Sequence, residues 1–150
     1  MLKDKFTIET FPITKKFVRE KRLLEDRGEL VLLADGEQIK HITFFTLNPG
    51  PNFFWGGHFH KQKIEKVYVI SGKLRMFLKK DVATHEKDII EVTTGQRVTI
   101  YPMCAHKFQA ITPSQVIVYC ATSYNAVDDI KFNDFDGVQQ WLTRIFHDRV

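Results

Sequence analysis

An all-β domain closed by one C-terminal helix is the fold class that the sequence predicts, and three observations lead there. Short apolar or alternating runs recur along most of the chain, with the period of two that a half-buried strand requires. Glycine and proline punctuate them. Only the last stretch changes to helical spacing.

The strand candidates are Glu29 to Leu33, His41 to Leu47, Lys66 to Ile70, Leu74 to Leu78, Ile89 to Val92, Arg97 to Tyr101 and Gln115 to Ala121. Between them stand Asp35-Gly36, Asn48-Pro49-Gly50-Pro51, Ser71-Gly72 and Thr94-Gly95, which supply the backbone geometry of tight turns. The pattern amounts to a meander of about eight strands. From Asp134 to Phe146, apolar residues at Phe135, Val138, Trp141, Leu142, Ile145 and Phe146 fall on one helical face, so a helix is expected to pack on the strands.

With 150 residues there is room for one compact domain, and no repeat, linker or low-complexity tract divides it, so residues 1–150 are read as a single domain. The composition, 43% hydrophobic and 27% charged with thirteen phenylalanines, is that of a globular protein rather than a disordered one. No run reaches the roughly eighteen apolar residues of a membrane helix, and MLKDKFTIET lacks the apolar centre of a signal peptide. A cytoplasmic protein without a membrane partner is the resulting expectation. Cys104 and Cys120 are far apart and form no CxxC pair, so both read as free thiols. The net charge of +4 suits an anionic ligand, but only KFVREKR at 16–22 clusters basic residues, and such a run is ordinarily a solvated face; nucleic acid is not an expected partner.

The chemistry concentrates in Gly56-Gly57-His58-Phe59-His60, then Glu65, and later His106. Successive side chains on a strand alternate between faces, so His58 and His60 point to one side and Phe59 to the other. Glu65 follows a turn through Lys61-Gln62-Lys63 and can return to the same face, while His106 arrives from another strand after a turn pinned by Pro102. Three imidazoles and a carboxylate form a borderline donor set for Zn(II), Fe(II), Mn(II) or Ni(II), so His58, His60, Glu65 and His106 are the candidate ligands of a divalent transition metal. Standing alone, His41, His85 and His147 read as structural or surface residues, Cys104 as a small buried thiol, and Phe53, Phe54, Phe59 and Trp55 as core, with Trp55 at the mouth of the site.

The stretch HFHKQKIEKVYVISG, from His58 to Gly72, resembles the first motif of the cupins, H-x-H-x4-E-x6-G, at each defining position. The second cupin motif is looser: Gly95 precedes His106 by the usual eleven residues, but Pro102 stands one place late and Ala110 replaces an asparagine. This resemblance implies a double-stranded β-helix, the jelly-roll barrel. EDRGEL at 25–30, GGHFHK at 56–61, IYPMCAHKFQAIT at 100–112 and SYNAVDDIKFNDF at 123–135 further resemble the sugar-nucleotide 3,4-ketoisomerase branch.

Membership of that branch would imply a nucleotide-sugar substrate, a thymidine-diphosphate-linked 4-keto-6-deoxyhexose, and no required cofactor. His58 and His60 would be the catalytic base and acid, in an order the sequence leaves open, since imidazole titrates near pH 6.5. Tyr68 and Tyr101 are candidate helpers. Two positions depart from the branch. Trp55 stands where it carries an arginine that holds the diphosphate, leaving Arg27, Arg75 and Arg97 as candidates for that duty, and Glu65 stands where it carries a neutral residue. A metal-dependent cupin enzyme, such as a dioxygenase, and a non-catalytic sugar-binding module therefore remain as alternatives. Family habit and unpaired sheet edges imply a homodimer, with Phe6 to Val18 as the segment that would add a strand to a neighbouring sheet.

Overall fold

The computed structural model describes residues 5–79 and 86–135, so the helix expected over 134–146 lies, but for its first two residues, outside the described residues. The strands are β1 (Phe6–Thr10), β2 (Ile13–Thr14), β3 (Arg22–Glu25), β4 (Gly28–Val31), β5 (His41–Leu47), β6 (Trp55–Phe59), β7 (Glu65–Lys79), β8 (Lys87–Thr93), β9 (Gln96–Ile100), β10 (Ala105–Cys120) and β11 (Ile130–Lys131). A 3-10 turn, Ala126–Asp128, precedes β11. No helix among the described residues is long and apolar enough to cross a membrane.

The architecture turns on β7 and β10, which pair antiparallel along nearly their whole length. The first part of β7 pairs with β9 and its second part with β8, while β10 pairs first with β6 and then with β5. Two long strands thus pass from one side of the barrel to the other, which makes the jelly roll that the cupin resemblance implied; the strand order β1-β9-β7-β10-β6-β11 is not the meander that the spacing of the runs suggested. Alternation fills the interior: Val67, Val69, Leu74, Met76, Leu78, Val98 and Val116 point inward and are buried among Val92, Ile100 and Phe108. Burial of each such side chain contributes about 1.5–3 kcal/mol before the entropy of ordering is counted. On the outer face, Phe59, Phe77, Ala105 and Phe135 form a smaller cluster.

Lys66 to Ile70 and Leu74 to Leu78, expected as two strands, are halves of one. The Ser71-Gly72 pair bends β7 without ending it: Gly72 has φ +101, its N–H donates to Thr94 Oγ1 at 3.0 Å, and β10 absorbs the bend by register shifts between Ala110 and Val116. A Cβ on Gly72 would stand 2.4 Å from Pro113 O and 2.7 Å from Ser114 Cα. Gly72→Ala is therefore expected to destabilise the barrel, with about 1–3 kcal/mol from the backbone conformation alone. A melting temperature within about 2 °C of wild type would contradict this role.

The segment beginning at Phe6 has its place on its own chain: β1 pairs with β9 from Phe6↔Ile100 to Thr10↔Gln96. Buried Arg97 fastens it, with Nη2 3.0 Å from Glu9 Oε2 and 3.3 Å from Glu20 Oε2, and Nη1 donating to the Tyr119 hydroxyl at 3.0 Å.

Candidate functional site

The register of β6 on β10 sets His58 directly opposite His106, and alternation brings His60, just past the end of β6, to the same side. Glu65, the first residue of β7, closes the group. Ring centroids stand 4.7 Å apart for His58 and His60, 4.6 Å for His58 and His106, and 5.6 Å for His60 and His106. One donor atom from each of His58, His60, Glu65 and His106 lies within 4.8 Å of the other three, so the structure brings together all four residues that the sequence singled out. The backbone spacing of i and i+2 on a strand is about 6–7 Å; the rings converge on one point instead of standing apart.

The ring nitrogens turned away from that point are each tied. His60 Nδ1 donates to the carbonyl of Asp128 at 2.7 Å and His106 Nδ1 to that of Cys104 at 2.9 Å. A carbonyl only accepts, so both rings carry hydrogen on Nδ1 and direct Nε2 inward. His58 Nδ1 meets the Asp129 carboxylate at 2.9 Å. Inside, His60 Nε2 is 3.0 Å from Glu65 Oε1 and His106 Nε2 is 3.2 Å from Glu65 Oε2, yet both nitrogens are buried without an aligned hydrogen bond. Lone pairs facing a carboxylate at that distance require a cation between them, a proton or a metal ion. Orphaned inward nitrogens with outward nitrogens held by carbonyl and carboxylate acceptors are the arrangement of metal-ligating histidines, so these residues fit a divalent transition ion.

The protonation states are unequal. Burial, with the His106 imidazole second, pushes His58 down to about 4. Burial also pulls on His60, but its contact with Glu65 outweighs this and leaves it above its ordinary value. Glu65 would be raised by burial; the imidazoles of His106 and His60 reverse that and hold it well below the usual carboxylate range. The consequence for metal-free protein follows by linkage. Between about pH 6.5 and pH 4 the unfolded chain takes a proton that folded His58 refuses, so stability falls as pH falls, and Glu65 adds to the loss in acid. The stabilisation from His60 is complete below about pH 6.5 and is lost as pH rises through its elevated value. Thermal melts of chelator-treated protein are expected to peak near neutral pH. A melting temperature that kept rising toward pH 4 would contradict the neutral His58.

His58, His60 and Glu65 form one wall of a cavity of about 410 Å³, with His106 fully buried behind them. Phe45, Trp55 and Tyr124 supply aromatic surface, and Trp55 is fixed at the mouth by donating Nε1–H to Thr46 O at 2.8 Å. His41, read from sequence as structural, lines this cavity, as do Thr43, Lys63 and Asp129, none of which the sequence reading selected. Parity offered one signal: His41 and Thr43 share a face of β5 with Phe45. For Asp129 the one signal was its place in the stretch SYNAVDDIKFNDF, because its partner His58 lies far away in the sequence. Tyr68 does not line the cavity. It lies three residues beyond inward-facing Glu65, hence on the opposite face, where it packs against Phe11. Tyr101 does not line the cavity either. Nor do Arg27, Arg75 or Arg97; Lys63, with Nζ 3.4 Å from Glu65 Oε1, is the cationic side chain among the described lining residues. Cys104 belongs to the core, its thiol pushed up to about 12 by burial. His85 and His147 lie outside the described residues.

The barrel has the cupin jelly-roll fold, with three histidines and a glutamate gathered at one end. The chain belongs to the polysaccharide biosynthesis C-terminal domain family, which matches residues 24–129. No curated protein sequence matches it. Among solved structures it is similar to QdtA, a sugar 3,4-ketoisomerase from Thermoanaerobacterium thermosaccharolyticum in complex with TDP, at TM-score 0.68 and 18% identity over 93% of this chain and 96% of that one. A 3,4-ketoisomerase from Helicobacter canadensis gives TM-score 0.68 and 17% identity over 92% and 97% of the two chains. The dTDP-6-deoxy-D-glucose-3,5-epimerase RmlC from Legionella pneumophila gives TM-score 0.63 and 13% identity over 77% and 71%. At these identities the likeness is one of fold.

Proposed function

We propose that the protein is an isomerase or epimerase that moves a proton at the carbon beside the keto group of a nucleotide-linked 4-keto-6-deoxyhexose. The observation that carries this reading is His58: the most exposed imidazole of the cluster, with 24% of its side chain accessible, kept neutral by burial and oriented by Asp129 at the wall of an aromatic-lined cavity. Neutral imidazole is the base this chemistry needs. It would take the proton from C3 while the C–H electron pair forms the C3–C4 double bond of the enediolate; return of a proton to C4, with the 3-hydroxyl proton passing to O4, gives the 3-keto isomer, and return to the opposite face of C3 gives the epimer. His60, whose hold on a proton is strengthened by its contact with Glu65, is then the donor in this reading. Imidazoles gathered on one wall support transfer between neighbouring carbons on one ring face. Similarity of fold to enzymes of TDP-sugars supports the substrate class, and Lys63 is the cation available to the diphosphate.

The convergent nitrogens favour a second form of the same reading, in which His58, His60, Glu65 and His106 hold a divalent transition ion. Such an ion would polarise the keto oxygen and stabilise the enediolate as a Lewis acid. A homodimer is part of the proposal; Ile42 and Phe44, large apolar side chains exposed on β5, support it. Light scattering is expected to give twice the chain mass at micromolar concentration, and a monomer there contradicts the dimer. The function itself is tested by thermal shift with thymidine- and uridine-diphosphate sugars, followed by turnover of a 4-keto-6-deoxyhexose nucleotide. Binding without turnover would leave a sugar-binding module instead.

A further inference from the structure

We propose that Asp128 is a positioning residue of the site: it clamps the turn between His60 and Glu65 and so fixes the His60 ring with Nδ1 protonated and Nε2 turned to the cluster. The inference rests on His60 being a working group of that site. Its basis is a double engagement. The Asp128 carboxylate accepts three successive backbone N–H groups, Lys61 on Oδ1 at 2.7 Å and Gln62 and Lys63 on Oδ2 at 3.3 and 3.2 Å. Its own carbonyl accepts His60 Nδ1 at 2.7 Å. One residue therefore ties both the ring of His60 and the backbone that leaves it.

Three N–H groups aimed at one oxygen pair form an anion-binding nest, and charge-assisted hydrogen bonds of this type are about twice as strong as neutral ones. The clamp is anchored at both ends. Asn125 Oδ1 accepts the Val127 N–H at 3.0 Å and caps the 3-10 turn, while Ile130 and Lys131 pair with Phe59 and His58 along β6. The next residue, Asp129, holds His58 Nδ1. A segment more than sixty positions away thus sets two of the three imidazoles, and Asp128 is the member that reaches the turn itself.

The test compares Asp128→Ala and Asp128→Asn with Arg22→Gln, which breaks the Arg22–Glu29 pair between β3 and β4, neither residue of which lines the cavity. Long-range 15N–1H correlation of the histidine rings reads the His60 tautomer, and calorimetric titration with Co(II) reads ligation. In Asp128→Ala, His60 is expected to lose its single Nδ1–H form and the Kd for Co(II) to rise about 10–100-fold, the usual effect of removing an outer-shell partner. Asp128→Asn should fall between, because its amide oxygen can keep the Lys61 N–H while its NH2 faces the other two donors. Arg22→Gln should lower the melting temperature and change neither readout. Unchanged His60 tautomer and Kd within about twofold of wild type in both Asp128 variants would overturn the proposal, as would equal changes in Arg22→Gln. If Asp128→Ala does not fold, Asp128→Asn decides. The tautomer needs neither metal nor substrate, so a wild type that binds no Co(II) counts against the metal form of the function while the ring measurement still decides the clamp.

Discussion

His58→Asn is expected to lower proton exchange at the sugar by about 10²- to 10⁴-fold, the contribution typical of a general base. Asparagine keeps a hydrogen-bonding group near Asp129 but cannot accept a proton at working pH. The assay is deuterium uptake from heavy water at C3 or C4 of a 4-keto-6-deoxyhexose nucleotide, followed by NMR. Asp129→Asn should cost less, about 10–100-fold, because it removes the group that orients the ring and leaves the ring itself. The pH profile adds an independent check. A base whose pKa lies at about 4 is already neutral well below pH 6, so the limb assigned to His58 should be flat from weakly acidic pH upward. Exchange that survives His58→Asn within tenfold, in protein that still folds and binds, would sink the assignment of the base.

The four clustered residues were legible because their evidence is local: H-x-H alternation on one strand and a glutamate at fixed spacing need no long-range contact to be seen. His106 also followed, since a strand and the turn at Pro102 precede it. What the sequence hid is the consequence of contacts made across the fold. Asp128 and Asp129 act on His60 and His58 through β11 pairing with β6, and nothing in a run of two aspartates announces that. The long strands were hidden by their own bends. Gly72 reads as a turn residue, yet it sits in a bend where β7 continues through a positive φ, and β10 continues beside it through register shifts between Ala110 and Val116. Parity, applied strictly from Glu65, would have turned Tyr68 away from the site. None of Arg27, Arg75 and Arg97 lines the cavity, and Arg97 is bound to Glu9, Glu20 and Tyr119; among the described lining residues Lys63 is the cationic side chain.

Calorimetric titration of the metal-free protein with Zn(II), Fe(II), Mn(II) or Ni(II) is expected to show binding, and Glu65→Gln to weaken it by removing the only anionic ligand of the set. At a free-ion concentration of about 100 times Kd the folded state gains about 2.7 kcal/mol, which for a chain of this length raises the melting temperature by roughly 5–10 °C. The physical argument is electrostatic. A buried carboxylate flanked by inward-facing nitrogens is satisfied by a proton on an imidazole or by a metal ion, and a divalent ion can be shared by all four donors at once. Lys63, 3.4 Å from Glu65, competes for the same carboxylate, so Lys63→Met should tighten metal binding while weakening the nucleotide sugar. Binding weaker than millimolar in wild type would sink the metal claim. The exchange assay then separates the two chemistries. If chelator-treated protein and Glu65→Gln keep most of the exchange, His58 and His60 move the proton unaided. If chelation stops exchange and an added ion restores it, the same histidines serve as ligands, and the base must be sought among the remaining groups that line the cavity, His41 and Asp129 first.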